Sequence, residues 1–332
     1  MRVVRLHGPG DLRISTEPEP IPPAGERLVR VAAVGICGSD LHWMQDGAIG
    51  EARLERPLVL GHEFAGVVDS PSGGAMVAVD PAVTCGTCIR CQEGDPNLCE
   101  STRFAGHSIN DGALQEYLSW PDHCLVPLPS GFTPADGAML EPLGVAIHSV
   151  DLGKVRPGMS VGVFGSGPIG LLTLQVARAA GATRVIATDL LDHRMEAAMN
   201  LGAHEVFKAR GGGEADAIVE STGGVDVAFD AAGTNEALAA AVESVRPGGR
   251  VVVIGIPSED ETIITASTVR RKGLTIKWVR RMKHTYPRAI ELVRSGAVDI
   301  RSMISHTFPL EKYDDAFRVA LSREGLKVMI QP

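Results

Sequence analysis

The sequence predicts an α/β protein in which a β-rich domain precedes a doubly wound parallel sheet. Three observations point there. Continuous apolar runs at 161–164, 185–188, 227–229 and 251–254 alternate with helical stretches at 169–180, 193–201 and 235–245. A glycine-rich turn joins the first of these runs to the helix after it. The texture before about residue 143 differs, with short β-rich runs broken by proline and glycine.

The first part, residues 1–143, carries runs at 27–34, 64–68 and 76–79, and Pro18, Pro20, Pro22 and Pro23 mark an irregular early connection. Such punctuation predicts a mostly antiparallel sheet. In the second part, 144–283, the apolar runs are continuous rather than alternating, as in strands covered on both faces by helices. Gly181, Gly202 and Gly248 follow helical stretches where left-handed caps are expected. The last part, 284–332, reads as a helix at 287–295, an extended piece at 304–308, a helix at 313–321 and a closing strand at 327–330. It is expected to pack back on the first domain.

Composition narrows the function. The 332 residues are 44% hydrophobic and 22% charged, a globular balance with room for two cores. A net charge of −8 does not attract phosphate backbones, so no nucleic-acid partner is expected. Arg270, Arg271 and Lys272, and then Arg280, Arg281 and Lys283, read as solvated faces or a loop near a cofactor. The uncharged stretch 159–177 is long enough to raise the membrane question, but Gly162, Gly165, Gly167, Pro168 and Gly170 interrupt it, so it reads as strand, turn and helix. Residues 1–5 lead straight into a strand with no apolar leader, so a cytoplasmic location is expected. In that setting clustered cysteines signal metal rather than disulfides.

The turn Gly165-Ser-Gly167-Pro168-Ile169-Gly170 has the dinucleotide pattern. Its glycines allow the tight turn, the approach of a pyrophosphate and close helix–strand packing, and the helix N-terminus offers unpaired N–H groups to phosphate. Asp189 ends the next apolar run, where an acid binds ribose hydroxyls and repels a 2′-phosphate, which favours NAD over NADP. Arg194 could cover adenine or ribose. Ala231 and Gly233, and then Gly255 and Ile256, follow later strands and are expected to reach the cofactor.

Cys85, Cys88, Cys91 and Cys99 can close a tetrahedron around Zn²⁺ with no vacant position, which is a structural site. An iron–sulfur cluster is the rival reading, but the fourth cysteine comes late and no proline follows it. The lone Cys124 reads as buried packing. Elsewhere Cys37, His62 and Glu63 offer three zinc ligands, which with water would make an open site. Zinc there lowers the pKa of a bound alcohol, and the deprotonated alcohol can give hydride to a nicotinamide ring. Read singly, His62 is equally a core histidine, Glu63 a surface acid and Cys37 inert packing.

These motifs, in this order and spacing, resemble the zinc-dependent medium-chain dehydrogenase/reductase superfamily along nearly the whole chain. The stretches Cys37-Gly-Ser39-Asp40-Leu-His42-Trp43, Arg56-Pro-Leu-Val-Leu-Gly-His62-Glu63 and Glu141-Pro-Leu-Gly-Val-Ala-Ile-His148 look most like its polyol branch of sorbitol, xylitol and L-idonate dehydrogenases. The resemblance implies a GroES-like catalytic domain and a Rossmann cofactor domain. It implies two zincs per chain and assigns the reactive one to Cys37, His62 and Glu63, with Glu141 near it directly or through water. It makes Ser39 a substrate contact that passes a proton outward, with His42 extending the relay. Trp43, Phe104 and Glu141 would line the pocket, and Arg281 would approach substrate or nicotinamide. It also implies a homodimer or homotetramer paired through the cofactor-domain sheet.

Two features depart from the family pattern. The tract 69–79 is short, and Met282 stands where sorbitol dehydrogenases tend to carry tyrosine. The implied substrate is a polyol or sugar acid. L-threonine, butanediol or a simple secondary alcohol remain alternatives on the same scaffold. A non-catalytic protein that binds zinc and nucleotide would keep the cysteine lobe and the glycine turn but lose the open metal set. A zinc-ribbon nucleic-acid binder fits the acidic balance poorly.

Overall fold

The computed structural model describes residues 1–68, 74–211 and 213–332, so the start of the short 69–79 tract lies outside the described residues. The chain divides into two compact units, Met1–Glu141 with Ile300–Pro332, and Pro142–Asp299.

The first unit is built on a seven-stranded sheet in the order Leu125–Pro127, Ala75–Val79, Glu63–Val68, Glu26–Gly35, Lys327–Gln331, Ile304–Pro309, with Tyr117–Pro121 also paired to Glu26–Gly35. Its pairs are antiparallel except for Ile304–Pro309 beside Lys327–Gln331. Along Glu26–Gly35, Val29, Val31 and Ala33 point inward while Arg30 is exposed, the period-two pattern of a half-covered sheet. Phe64, Trp120, Phe317 and Ile330 pack with them in one core. The register sets Gly35 opposite Glu63 on one side and opposite Met329 on the other. Three strands from distant parts of the sequence therefore end together where Cys37 and Glu63 emerge.

The second unit is a six-stranded parallel sheet in the order Glu205–Lys208, Arg184–Asp189, Ser160–Phe164, Val225–Asp230, Val245–Val253, Thr275–Trp278. The chain starts mid-sheet at Ser160–Phe164, runs out to one edge, then returns to fill the other. That reversal leaves a crevice at the carboxyl ends of Ser160–Phe164 and Val225–Asp230, where such sheets bind ligands. No helix among the described residues is long and apolar enough to cross a membrane.

Two details differ from the sequence expectation. The returning segment begins at Ile300 rather than at residue 284, because Tyr286–Arg294 stays with the second unit. Arg288 pairs with Asp151 at 2.6 Å, and the Gln175 side chain holds the Asp299 backbone at 2.7 and 3.1 Å. The return then opens with Arg301 on Asp136, at 2.8 Å. Gly248 is left-handed, with φ 76°, but it turns the chain inside Val245–Val253; the preceding helix Asn235–Ser244 passes into that strand without a glycine cap.

Asp230 ends its strand deeply buried, and its Oδ1 accepts the N–H groups of Ala232 and Gly233 at 3.0 and 3.2 Å. Burial outweighs those bonds and pushes its pKa up to about 6. A folded-state value above the ordinary one favours the protonated form. Its stabilisation is therefore complete below the ordinary carboxylate range and lost as pH rises through about 6. Asp230→Asn keeps the Oδ1 acceptor and removes the charge. It is expected to stabilise the protein by roughly 1–3 kcal/mol at about pH 8, with the gain disappearing near pH 4, as read by calorimetric melting at both values.

Candidate functional site

Cys37 is the N-cap of the helix Gly38–Asp46, and Asp40 at the third helical position closes a capping box with it. Asp40 does more than cap. It is 1% exposed, and its carboxylate accepts Cys37 N–H at 2.9 Å and Gly61 N–H at 3.1 Å, tying the Cys37 loop to the His62 loop. Its Oδ1 also stands 3.6 Å from His62 Nδ1, an ion-pair separation. The result is a compact donor set: one ligand atom each from Cys37, His62 and Glu63, all within 4.8 Å of one another. Thiolate, imidazole and carboxylate are the donor types that suit zinc, and three of them leave room for a further ligand. Burial disfavours the His62 imidazolium, but the charges of Asp40 and Cys37 prevail and hold its pKa well above the usual value.

Glu141 lies outside that tight set. It is buried in the helix Pro134–Gly153, close enough to feel His62, Glu63 and Lys327. Burial pushes its pKa up to about 7, His62 pulls it down and Glu63 pushes it up again. Phe104 stacks at a tilt against His62, with ring centres 5.3 Å apart. His107 meets Phe104 edge-on at 6.4 Å and Trp43 edge-on at 5.5 Å. Trp43, Phe104 and His107 thus form a continuous aromatic wall beside His62. Ser39 is half-buried at the second helical position after the Cys37 cap, and His42 Nδ1 faces Asp46 Oδ2 at 3.6 Å.

The four other cysteines converge separately. Cys88–Cys91 and Cys85–Cys99 sulfurs are 3.5 Å apart, and Cys85–Cys91 4.0 Å. Backbone N–H groups of Thr87 and Cys88 draw the Cys85 thiol down to about 6, toward the thiolate a metal needs. Cys124 is buried in the sheet core, and burial pushes its thiol up to about 12.

In the second unit, Gly165, Ser166 and Gly167 form the turn, and Pro168 and Ile169 open the helix Pro168–Ala179 with Gly167 as N-cap. A Cβ on Gly170 would overlap the Gly165 carbonyl oxygen, so only glycine lets the helix sit this close to the strand. Asp189 secures the turn from the next strand: Oδ2 accepts Ser166 N–H at 2.8 Å and Oδ1 accepts Leu191 N–H at 2.9 Å. Each oxygen keeps a further lone pair for a ligand. The Arg194 guanidinium lies over Gly167, 3.5 Å from where its Cβ would be. The loops carrying Ala231 and Gly233 and carrying Gly255 and Ile256 pack backbone on backbone, and Ala232 closes on Gly165. These residues therefore meet at one end of the sheet. Arg281 stands in the loop after Thr275–Trp278 with a left-handed backbone, φ 56°.

Two family models match the chain: the alcohol dehydrogenase GroES-like domain over residues 23–130 and the zinc-binding dehydrogenase over 168–295. Sorbitol dehydrogenase of Bacillus subtilis is 37% identical over 346 residues, covering 100% of this chain and 97% of its own. The chain belongs to the zinc-dependent medium-chain dehydrogenase family, in its polyol branch. L-idonate 5-dehydrogenase of Vitis vinifera is 34% identical, covering 91% of this chain and 86% of its own. Among solved structures, the NADH complex of an alcohol dehydrogenase from Escherichia coli CFT073 superposes with a TM-score of 0.92 at 30% identity, covering 100% and 99% of the two chains. A Sinorhizobium meliloti 1021 chain described as a zinc-binding dehydrogenase, bound to NADP, gives 0.90 at 32% identity, again covering 100% and 99%.

As a medium-chain dehydrogenase the chain is an oxidoreductase with a GroES-like domain and a Rossmann domain. Three neighbours of the candidate metal set matter beyond the residues that the sequence singles out. Asp40 lies three residues after Cys37, and that capping-box spacing is the signal that marks it. His107 is a single histidine in a glycine-containing loop and carries no pattern. Lys327 opens a strand read only as a strand, yet its ammonium lies against Glu63.

Proposed function

We propose that this chain oxidises a secondary hydroxyl of a polyol or sugar acid to a ketone, with NAD as hydride acceptor, at the set formed by Cys37, His62 and Glu63. The observation that carries the reading is the convergence of those three donors within 4.8 Å beside an aromatic wall. Zinc held by them supplies Lewis acidity that lowers the pKa of a substrate hydroxyl. A second zinc belongs to Cys85, Cys88, Cys91 and Cys99, where the donors leave no position for substrate.

The protein's own groups do the remaining work. Asp40 fixes the Cys37 and His62 loops in one geometry. Ser39 Oγ accepts the substrate hydroxyl proton, and His42, with Asp46 at 3.6 Å, leads it toward solvent. Glu141 hydrogen-bonds a second hydroxyl, which is what distinguishes a polyol from a simple alcohol. Trp43 and Phe104 cover the carbon chain and exclude water. In the second unit the turn 165–170 and the N-terminus of Pro168–Ala179 hold the pyrophosphate, and Asp189 and Arg194 hold the adenosine ribose. Arg281 and the loops at 231–233 and 255–256 border the nicotinamide.

The edge strand Thr275–Trp278 supports a homodimer: Trp278 is 56% exposed and Ile263 71% exposed in the same unit. The six unpaired cysteines support a reducing, cytoplasmic setting.

Initial rates on sorbitol, xylitol, L-idonate, 2,3-butanediol, L-threonine and 2-propanol, each with NAD and with NADP, test the reading. Turnover concentrated on the polyols or the sugar acid, with NAD preferred about ten-fold or more, is expected. Turnover confined to threonine or 2-propanol, or a preference for NADP, would sink the corresponding part.

A further inference from the structure

Glu63 does not wait alone for a metal. Lys327, 264 residues further along the chain, places its ammonium 2.6 Å from Glu63 Oε2 and 2.8 Å from Oε1. The pair is among the most enclosed in the molecule, with side chains 1% and 2% exposed. The third ammonium donor goes to the Ile36 carbonyl at 3.1 Å, one residue before Cys37. All three donors of Lys327 are therefore spent on the metal set and its loop. The backbone reinforces the arrangement: Ile36 N–H bonds to the Val328 carbonyl at 3.0 Å, and Met329 pairs with Gly35. Glu63 folds over Gly35 to reach its partner, and a Cβ at position 35 would overlap Glu63 Oε2.

We infer that Lys327 is a positioning residue that shares Glu63 with the reactive metal and weakens that carboxylate as a ligand, so that it is readily given up. The inference rests on the reading that Cys37, His62 and Glu63 hold zinc. A buried cation bonded to both carboxylate oxygens competes with a second cation for the same negative charge. In an environment this dry the competition is strong. Without Lys327, the carboxylate would direct its full charge to the metal, and the metal-free state would leave Glu63 without its ammonium partner.

The sign of this effect separates positioning from simple scaffolding. If Lys327 only ties strands together, its loss loosens the site and metal escapes faster. If it competes for Glu63, its loss makes the metal leave more slowly. The test follows zinc transfer from the holoenzyme to 4-(2-pyridylazo)resorcinol, with the phase missing in His62→Ala identified as the reactive site. Lys327→Met is expected to slow that phase about ten-fold or more, the scale on which partners of metal ligands act. Lys327→Arg should restore the wild-type rate. The visible spectrum of the cobalt(II)-substituted protein should shift in Lys327→Met and not in Lys327→Arg. In a Glu63→Gln background, Lys327→Met should no longer slow release. Lys327→Gln keeps a donor without the charge and should slow release if the Met variant does not fold. A His62→Ala protein that retains both release phases overturns the metal reading, and this inference with it. A His62-dependent phase that the neutral Lys327 variants leave unchanged or accelerate overturns the inference alone.

Discussion

His62→Ala is expected to leave a folded protein with one zinc instead of two and kcat/KM lowered about a thousand-fold or more. His62 is the middle member of the donor set, and a methyl group offers no replacement ligand. Lewis-acid activation is worth several kcal/mol at the transition state, and each 1.36 kcal/mol is about a factor of ten in rate. The fold should survive, because the imidazole makes contact with Phe104 and Asp40 but the sheet core around Val31, Val34 and Phe64 is built without it. Metal analysis, circular dichroism and initial rates on the best polyol check the three parts together. Unchanged zinc content with full activity would refute the assignment of His62.

Cys99→Ala is expected to do the opposite: large damage to stability, and activity lost only in step with folding. Cys99 is the buried member of its cluster, and its sulfur also accepts the Cys85 N–H at 3.5 Å. The segment it closes contains only a four-residue helix, Ile89–Gln92, and a 3-10 turn, Pro96–Leu98, with Ile89 and Leu98 exposed. With so little apolar burial, a metal held by the four cysteines would be what orders the loop. Loss of a structural metal stands among the most damaging single changes, about 4–5 kcal/mol, which corresponds to a melting temperature lowered by roughly 6–7 °C in a protein of this size. Limited proteolysis should cut first between Cys85 and Cys99. A variant that melts like the wild type and resists cleavage there would show that the lobe orders itself without metal.

Local chemistry was the most legible layer of the sequence. The glycine turn and the cysteine lobe depend on spacing within a few residues, so their function is written where their residues are. Most strands of the two sheets were legible for the same reason, since continuous or alternating hydrophobicity is a local pattern, but Tyr117–Pro121, Leu125–Pro127, Glu205–Lys208 and Thr275–Trp278 were not. What a helix docks against is not local. The helix Tyr286–Arg294 has a clear amphipathic face, but only the Arg288–Asp151 and Gln175–Asp299 contacts show which core it joins. The helix Pro134–Gly153 went unread because Gly137, Pro142 and Gly144 interrupt its pattern, although it carries Glu141 into the buried site. The roles of Lys327 and His107 were illegible in principle. Each is a lone polar residue whose meaning is supplied by neighbours brought in by the fold.

The first unit is discontinuous, since Pro142–Asp299 is inserted between its two parts. The second unit is a single stretch of chain and can complete its sheet as soon as Asp299 has been made. The first must hold its sheet open between Glu26–Gly35 and the missing neighbour until Lys327–Gln331 arrives. During synthesis, then, the second unit can mature before the first, and if Cys37, His62 and Glu63 hold zinc as proposed, an ion captured early would meet them before their ammonium neighbour exists. The last strand acts as a latch on the first unit, so chains stalled just short of it would carry an unsatisfied strand edge on Glu26–Gly35 and a Glu63 carboxylate without its ammonium.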